Sequence, residues 1–171
     1  VIIPAPYWVS YPDQVLLNGA TPVIVPTEES DGFRLTVEAL RAHMTPRTKA
    51  LILNSPCNPT GSAYEKKHLE EIAQVVLEKD LLVISDEIYE RIVYNGFKHV
   101  SFASLGREVK DRTVVVNGVS KTFSMTGWRI GYTAGPMPIM SAMANLQSQS
   151  TSNPCSISQK AAVAALSHPS S

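Results

Sequence analysis

Seven side chains stand out because each carries charge, a hydrogen-bonding group or a flat aromatic face where an apolar run gives way to a loop: Trp8, Asn58, Asp86, Tyr89, Ser120, Lys121 and Arg129. Lys121 follows Asn117-Gly118-Val119-Ser120 and precedes a small, weakly charged loop running to Gly131. Partial desolvation in such a setting frees an amine to attack a carbonyl carbon. The plainer role is that of a solvated surface lysine. Asp86 follows the strand Leu81–Ser85, whose four leading residues are apolar, and opens Asp86-Glu87-Ile88-Tyr89. A carboxylate there needs a cation or a donor, and a protonated ring nitrogen would serve; an N-cap for the next turn would also account for it. Tyr89, about one helical turn on, either points back to the same pocket or simply packs.

The loop Asn54-Ser55-Pro56-Cys57-Asn58-Pro59-Thr60-Gly61 is dense in turn formers, and its X-Pro bonds suit a rigid loop that presents Asn58. A cis bond at Asn58–Pro59 fits such a turn. Ser120 and Arg129 together offer a hydroxyl donor and a guanidinium fork, the pair that suits a phosphate. Taken singly, Arg129 is an ordinary ion-pair partner. Trp8 can stack on a flat ring or sit half-buried in the core.

These residues need a frame. Short β-branched runs predict strands at Val1–Ile3, Pro22–Val25, Ala50–Leu53, Leu81–Ser85, Thr113–Val116 and Arg129–Ala134. Helical spacing predicts helices at Tyr11–Leu17, Thr36–His43 (with Thr36 as N-cap), Tyr64–Lys79, Pro138–Ser148 and Ser156–Leu166. The alternation implies an α/β fold, a mostly parallel sheet with helices on both faces. Ligands of such folds sit outside the carboxyl ends of the strands. Trp8, Asn58, Asp86, Tyr89, Ser120 and Lys121 all follow strands and therefore share that edge. Arg129 precedes its strand, and joins them if that strand runs antiparallel. The gap from Lys121 to Arg129 is too short for a covering helix, which favours the antiparallel direction.

Composition narrows the partners. Lys+Arg and Asp+Glu each number 15, so no basic excess exists to neutralise a nucleic acid. No apolar run has the length of a membrane helix. Cys57 and Cys155 form neither a disulfide framework nor a zinc site, and fit a reducing compartment. His43, His68, His99 and His168 show no ligand spacing; no metal is expected, and each histidine is expected at the surface. The start at Val1-Ile2-Ile3 and the end at residue 171 read as cuts through a longer protein.

Lys121 through Gly131, Asn58-Pro59-Thr60-Gly61 and Asp86-Glu87-Ile88-Tyr89 resemble the signatures of class I aminotransferases of the aspartate aminotransferase fold, in the right order along nearly the whole chain. Ala5-Pro6-Tyr7-Trp8-Val9-Ser10-Tyr11-Pro12 and Met125-Thr126-Gly127-Trp128-Arg129 look like the bacterial-type subgroup. The segments from Gln147 to Ser152 and from Ser156 to Ala161 are similar to plant and algal plastid enzymes that aminate oxaloacetate and prephenate.

The resemblance implies pyridoxal 5'-phosphate as cofactor and the large domain of the fold type I enzymes, with residues 1–171 a partial cofactor-binding domain. An upstream phosphate loop and a C-terminal small domain would lie outside it. By resemblance, Lys121 is the Schiff-base lysine and the base for the α-proton. Asp86 keeps the pyridine nitrogen protonated. Tyr89 and Asn58 hydrogen-bond the ring's phenolic oxygen. Asn58 and Trp8 border the substrate carboxylate, and Trp8 stacks on the ring. Ser120 and Arg129 hold the phosphate. Lys121, Asp86 and Tyr89 are then the catalytic set. The implied reaction moves an amino group between glutamate or aspartate and a keto acid, namely oxaloacetate, 2-oxoglutarate or prephenate. The implied assembly is a homodimer with small-molecule partners. The implied location is a plastid for a plant or algal source and the cytoplasm otherwise. Alone, the chain is expected to show little or no transaminase activity. Competing readings are a C–S lyase or cyclopropane-forming (ACC-synthase-like) enzyme of the same fold, and a non-catalytic aminotransferase-like regulator domain.

Overall fold

Strand and helix alternate along the computed structural model, which describes residues 1–168. Residues 169–171 of the expected 1–171 unit lie outside the described residues. The strands are β1 (Ile2–Ala5), β2 (Val23–Pro26), β3 (Ala50–Asn54), β4 (Leu82–Asp86), β5 (Thr113–Gly118) and β6 (Gly131–Ala134). They form one sheet in the order β2-β1-β3-β4-β5-β6. All neighbours are parallel except β5 and β6, which pair antiparallel from Val115 opposite Ala134 to Gly118 opposite Gly131. The antiparallel last strand agrees with the short connection before it.

The helices are α1 (Ser10–Leu17), α2 (Val37–Ala42), α3 (Lys66–Glu78), α4 (Arg107–Lys110), α5 (Met137–Ser148) and α6 (Ser156–Ser167). Thr36 caps α2 as expected, its hydroxyl accepting from the Ala39 amide at 3.1 Å. Neighbouring strand residues point to opposite faces and so fall into two cores. Ile2, Leu51, Leu53 and Val83 pack with Leu40 of α2, Leu69, Ile72 and Val76 of α3, and Val109 of α4. Ile3 and Ile52 pack on the other face with Tyr11 and Val15 of α1. On that second face Leu82 and Ile84 of β4 stay exposed among the described residues. Ile72 is fully buried, and truncation to alanine there costs about 2–5 kcal/mol.

Most element ends shift by one or two residues from the sequence expectation, and three departures have a physical reason. Tyr64 is not helical; it is buried, and its hydroxyl accepts from the Leu35 amide at 2.7 Å, which holds it outside α3. β6 starts at Gly131 rather than Arg129, because Arg129 has φ +55° and cannot extend a strand. α4 is too short to show a helical period, so the sequence pattern missed it. No helix among the described residues is long and apolar enough to cross a membrane.

Candidate active site

The sheet reverses its order of growth between β1 and β3: β1 leads through α1 to β2 on one side, and β3 leads to β4 on the other. A crevice opens at the carboxyl ends of strands that diverge in this way. A cavity of about 290 Å³ lies there, and Trp8, Asn58, Asp86, Tyr89, Ser120, Lys121 and Arg129 all line it. The size suits one small ring. A larger open groove of about 590 Å³ adjoins it and shares Asn58 and Tyr89, but only the smaller cavity holds Lys121 and Asp86.

Asp86 ends β4 with both carboxylate oxygens engaged. The Tyr11 hydroxyl donates to Oδ2 at 2.6 Å, and the Ile88 amide donates to Oδ1 at 3.1 Å. The second bond is the local turn cap that the sequence allowed. Asn54, the last residue of β3, joins two site elements: its Nδ2 donates to the Asp86 carbonyl at 3.0 Å and its Oδ1 accepts from the Asn58 amide at 2.8 Å. The Asn58 loop is closed on itself by Gly61 N to Cys57 O and Cys57 N to Ser62 O, both 2.8 Å. Asn58–Pro59 is cis, as are Ser55–Pro56 and Ala5–Pro6.

Lys121 sits in a tight turn after β5, with the Phe123 amide donating to the Val119 carbonyl and the Ser124 amide to the Lys121 carbonyl, both at 3.2 Å. Its Nζ faces the Tyr89 ring, 5.6 Å from the centroid. The side chain is exposed, the plainer of the two settings the sequence left open, and not partly desolvated. The Thr126 hydroxyl donates to the Ser120 carbonyl at 3.1 Å, and Arg129 Nη1 donates to the Thr126 carbonyl at 2.8 Å. Thr126 thereby ties Ser120 to Arg129. Trp8 stands at the rim, 41% exposed, edge-on to Tyr11 with centroids 5.5 Å apart.

Behind the site, Glu87 is buried. Its Oε1 accepts from Ser85 Oγ, Ser101 Oγ and the Phe102 amide, and its Oε2 lies 3.2 Å from His99 Nε2. Burial opposes its ionisation, but the bonds from His99, Ser85 and Ser101 outweigh that and hold the carboxyl below its ordinary value. The expectation of a surface role for every histidine fails at His99, whose side chain is only 12% exposed because it closes this buried cluster. Glu87, Glu90 and His99 could group around a cation, but Glu87 is already committed to these donors.

The sequence profile of aminotransferase class I and II matches residues 1–171. The chain belongs to that family. It is 57% identical over 169 residues to an aspartate aminotransferase of Geobacillus stearothermophilus, covering 99% of this chain and 43% of the relative. It is 54% identical over 170 residues to an aspartate/prephenate aminotransferase of Cereibacter sphaeroides, covering 99% and 42%. Among solved structures, an aspartate aminotransferase from Rhizobium meliloti superposes with a TM-score of 0.95 at 50% identity, over 98% of this chain and 42% of that one. An aromatic aminotransferase from Pyrococcus horikoshii does so with a TM-score of 0.95 at 50% identity, over 98% and 45%. The chain thus spans well under half the length of these relatives.

In this aminotransferase chain the donor set around the cavity is an amine, a carboxylate, a phenol, an amide, a hydroxyl, a guanidinium and an indole. That set fits an anionic, phosphorylated heteroaromatic cofactor: the cations and donors suit a phosphate and ring oxygens, and the carboxylate suits a ring nitrogen. Sequence reasoning did not assign roles to Tyr11 or Asn54. The strand-end rule held the signal for both, since Asn54 terminates β3 and Tyr11 lies in the first turn after the β1 loop.

Proposed function

We propose that the whole enzyme transfers an amino group between glutamate or aspartate and a keto acid, with pyridoxal 5'-phosphate bound in the 290 Å³ cavity. One observation carries the reading: Lys121, Asp86 and Arg129, distant in sequence, line one cavity at the carboxyl edge of the sheet. The bound cofactor supplies an electron sink for the carbon that loses its proton.

In this reading Lys121 supplies the amine that holds the cofactor and then carries the proton at the substrate's α-carbon. Asp86 holds the proton on the ring nitrogen. Tyr89 and Asn58 donate to the ring's phenolic oxygen. Ser120 and Arg129 anchor the phosphate, the arginine through its planar fork. Trp8 covers the ring, borders the substrate carboxylate with Asn58, and keeps water off the reacting carbon.

The names of the relatives divide between aspartate, aspartate/prephenate and aromatic substrates. The aspartate reading has the greater support, with oxaloacetate, 2-oxoglutarate and prephenate as acceptors. We place the enzyme as a homodimer in a reducing compartment, a plastid for a plant or algal source and the cytoplasm otherwise. The 171-residue chain alone is expected to turn over little or nothing.

The test is the absorption spectrum of the full-length protein loaded with the cofactor. A band near the visible edge, lost on borohydride treatment and absent in Lys121→Ala, is the expected result. No such band in the wild type ends the reading. Assays with aspartate, glutamate and aromatic donors then decide the substrate. Failure to form a keto acid from any of them, with a cofactor band present, favours a C–S lyase or a regulator.

A further inference from the structure

We propose that Tyr11 is a positioning residue for amino transfer, setting the orientation of Asp86 through its hydroxyl and that of Trp8 through its ring. The inference rests on the role given to Asp86 above. Tyr11 is 6% exposed and belongs to the second core with Ile3, Val15 and Ile52, so packing holds its ring still. Its hydroxyl donates to Asp86 Oδ2 at 2.6 Å, within the short range of O–H···O⁻ bonds.

This bond differs in kind from the other one to that carboxylate. The Ile88 amide belongs to Asp86's own turn and moves with it. Tyr11 reaches across from α1, 75 residues away in sequence, and so references the carboxylate to a different part of the fold. Asn54 donates to the backbone carbonyl of Asp86 and not to its carboxylate. Among the described residues, Tyr11 is therefore the only side chain donating to the Asp86 carboxylate.

Tyr11 is also a dependable donor. Burial, the neighbouring Asp86 charge and the hydrogen bond to it all push the phenol well above its ordinary value, so the proton stays on the tyrosine. The same ring receives Trp8 edge-on, at 5.5 Å and 84°. One packed side chain thus meets both the group assigned to the ring nitrogen and the group assigned to the ring face.

The test uses full-length enzyme carrying Tyr11→Phe, which removes one oxygen and keeps the packed ring. Loss of a hydrogen bond to a charged group predicts about tenfold weaker cofactor binding by the apoenzyme and about tenfold lower kcat. KM for donor and acceptor should change less than about twofold, because those interactions are untouched. A double-mutant cycle with Asp86→Asn reads what a merely structural role would not move. With the charge gone, the amide oxygen accepts from Tyr11 only as a neutral partner, so the Tyr11→Phe effect on cofactor binding should shrink to below about threefold. An equal effect in both backgrounds, or none in either, overturns the proposal.

If Tyr11→Phe does not fold, 3-fluorotyrosine at position 11 keeps the shape and reports the bond directly. Its fluorine resonance should move when Asp86→Asn is introduced, and an unmoved resonance overturns the proposal. A wild type without the Lys121-dependent band would instead sink the aminotransferase reading, and this inference with it.

Discussion

The Nζ of Lys121 lies 5.6 Å from the centre of the Tyr89 ring, bringing the turn after β5 over the turn after β4. The two side chains are neighbours only because β4 and β5 pair in parallel, with Asp86 opposite Val116. This contact separates two variants. Tyr89→Phe keeps the ring facing the amine and loses only the hydroxyl, so full-length enzyme should retain its visible band with kcat lowered about tenfold. Lys121→Ala should lose the band and at least about a hundredfold in kcat, the lower end of what a proton-transferring group contributes. Equal effects of the two variants on spectrum and rate would refute the division of roles.

Arg129 occupies the left-handed region at φ +55°, where a side chain is strained. Glycine relieves that strain but removes the guanidinium from the cavity. Arg129→Gly should therefore leave the melting temperature of the cofactor-free protein unchanged or raised. The additional stabilisation on adding cofactor should shrink, since bound ligand stabilises only in proportion to its affinity. Thermal melts with and without cofactor check both halves.

Gly118 is required by a close approach. A Cβ there would lie 2.8 Å from the Ile130 carbonyl oxygen and 3.2 Å from Gly131 Cα, so backbone would have to move. Gly118→Ala should cost about 1–3 kcal/mol in urea unfolding. Gly127→Ala is the control: a Cβ at that position meets nothing within 4 Å, and the change should be close to neutral.

Glu87 makes stability depend on acid pH. Its carboxyl is held below the ordinary value of 4.5 by His99, Ser85 and Ser101 against the cost of burial. A depressed carboxyl pKa means the unfolded chain binds a proton more readily than the folded one. The contribution is thus present in full above 4.5 and is lost as pH falls through the lower folded value. Glu87→Gln should lower stability by about 1–3 kcal/mol at pH 7 and flatten the acid limb of the stability curve. Urea midpoints measured between neutral pH and pH 3 give the comparison, and parallel curves would count against the cluster.

The β-branched runs and amphipathic spacing of the sequence by themselves determined the strand–helix alternation, the parallel sheet and the edge at which polar strand-end residues gather. That information is local: side-chain period and turn chemistry act over a few residues. The same rule singled out Lys121, Asp86 and Asn58, and Arg129 joined them only through the antiparallel direction expected of its strand. Tertiary structure alone decided the contacts between those segments. The Tyr11–Asp86 bond spans 75 residues, Asn54 meets Asp86 across β3 and β4, and His99 leaves the surface to close on Glu87. Each depends on strand order and register, which no local pattern encodes. The exposure of Lys121 and the left-handed backbone of Arg129 were likewise visible only in the folded chain.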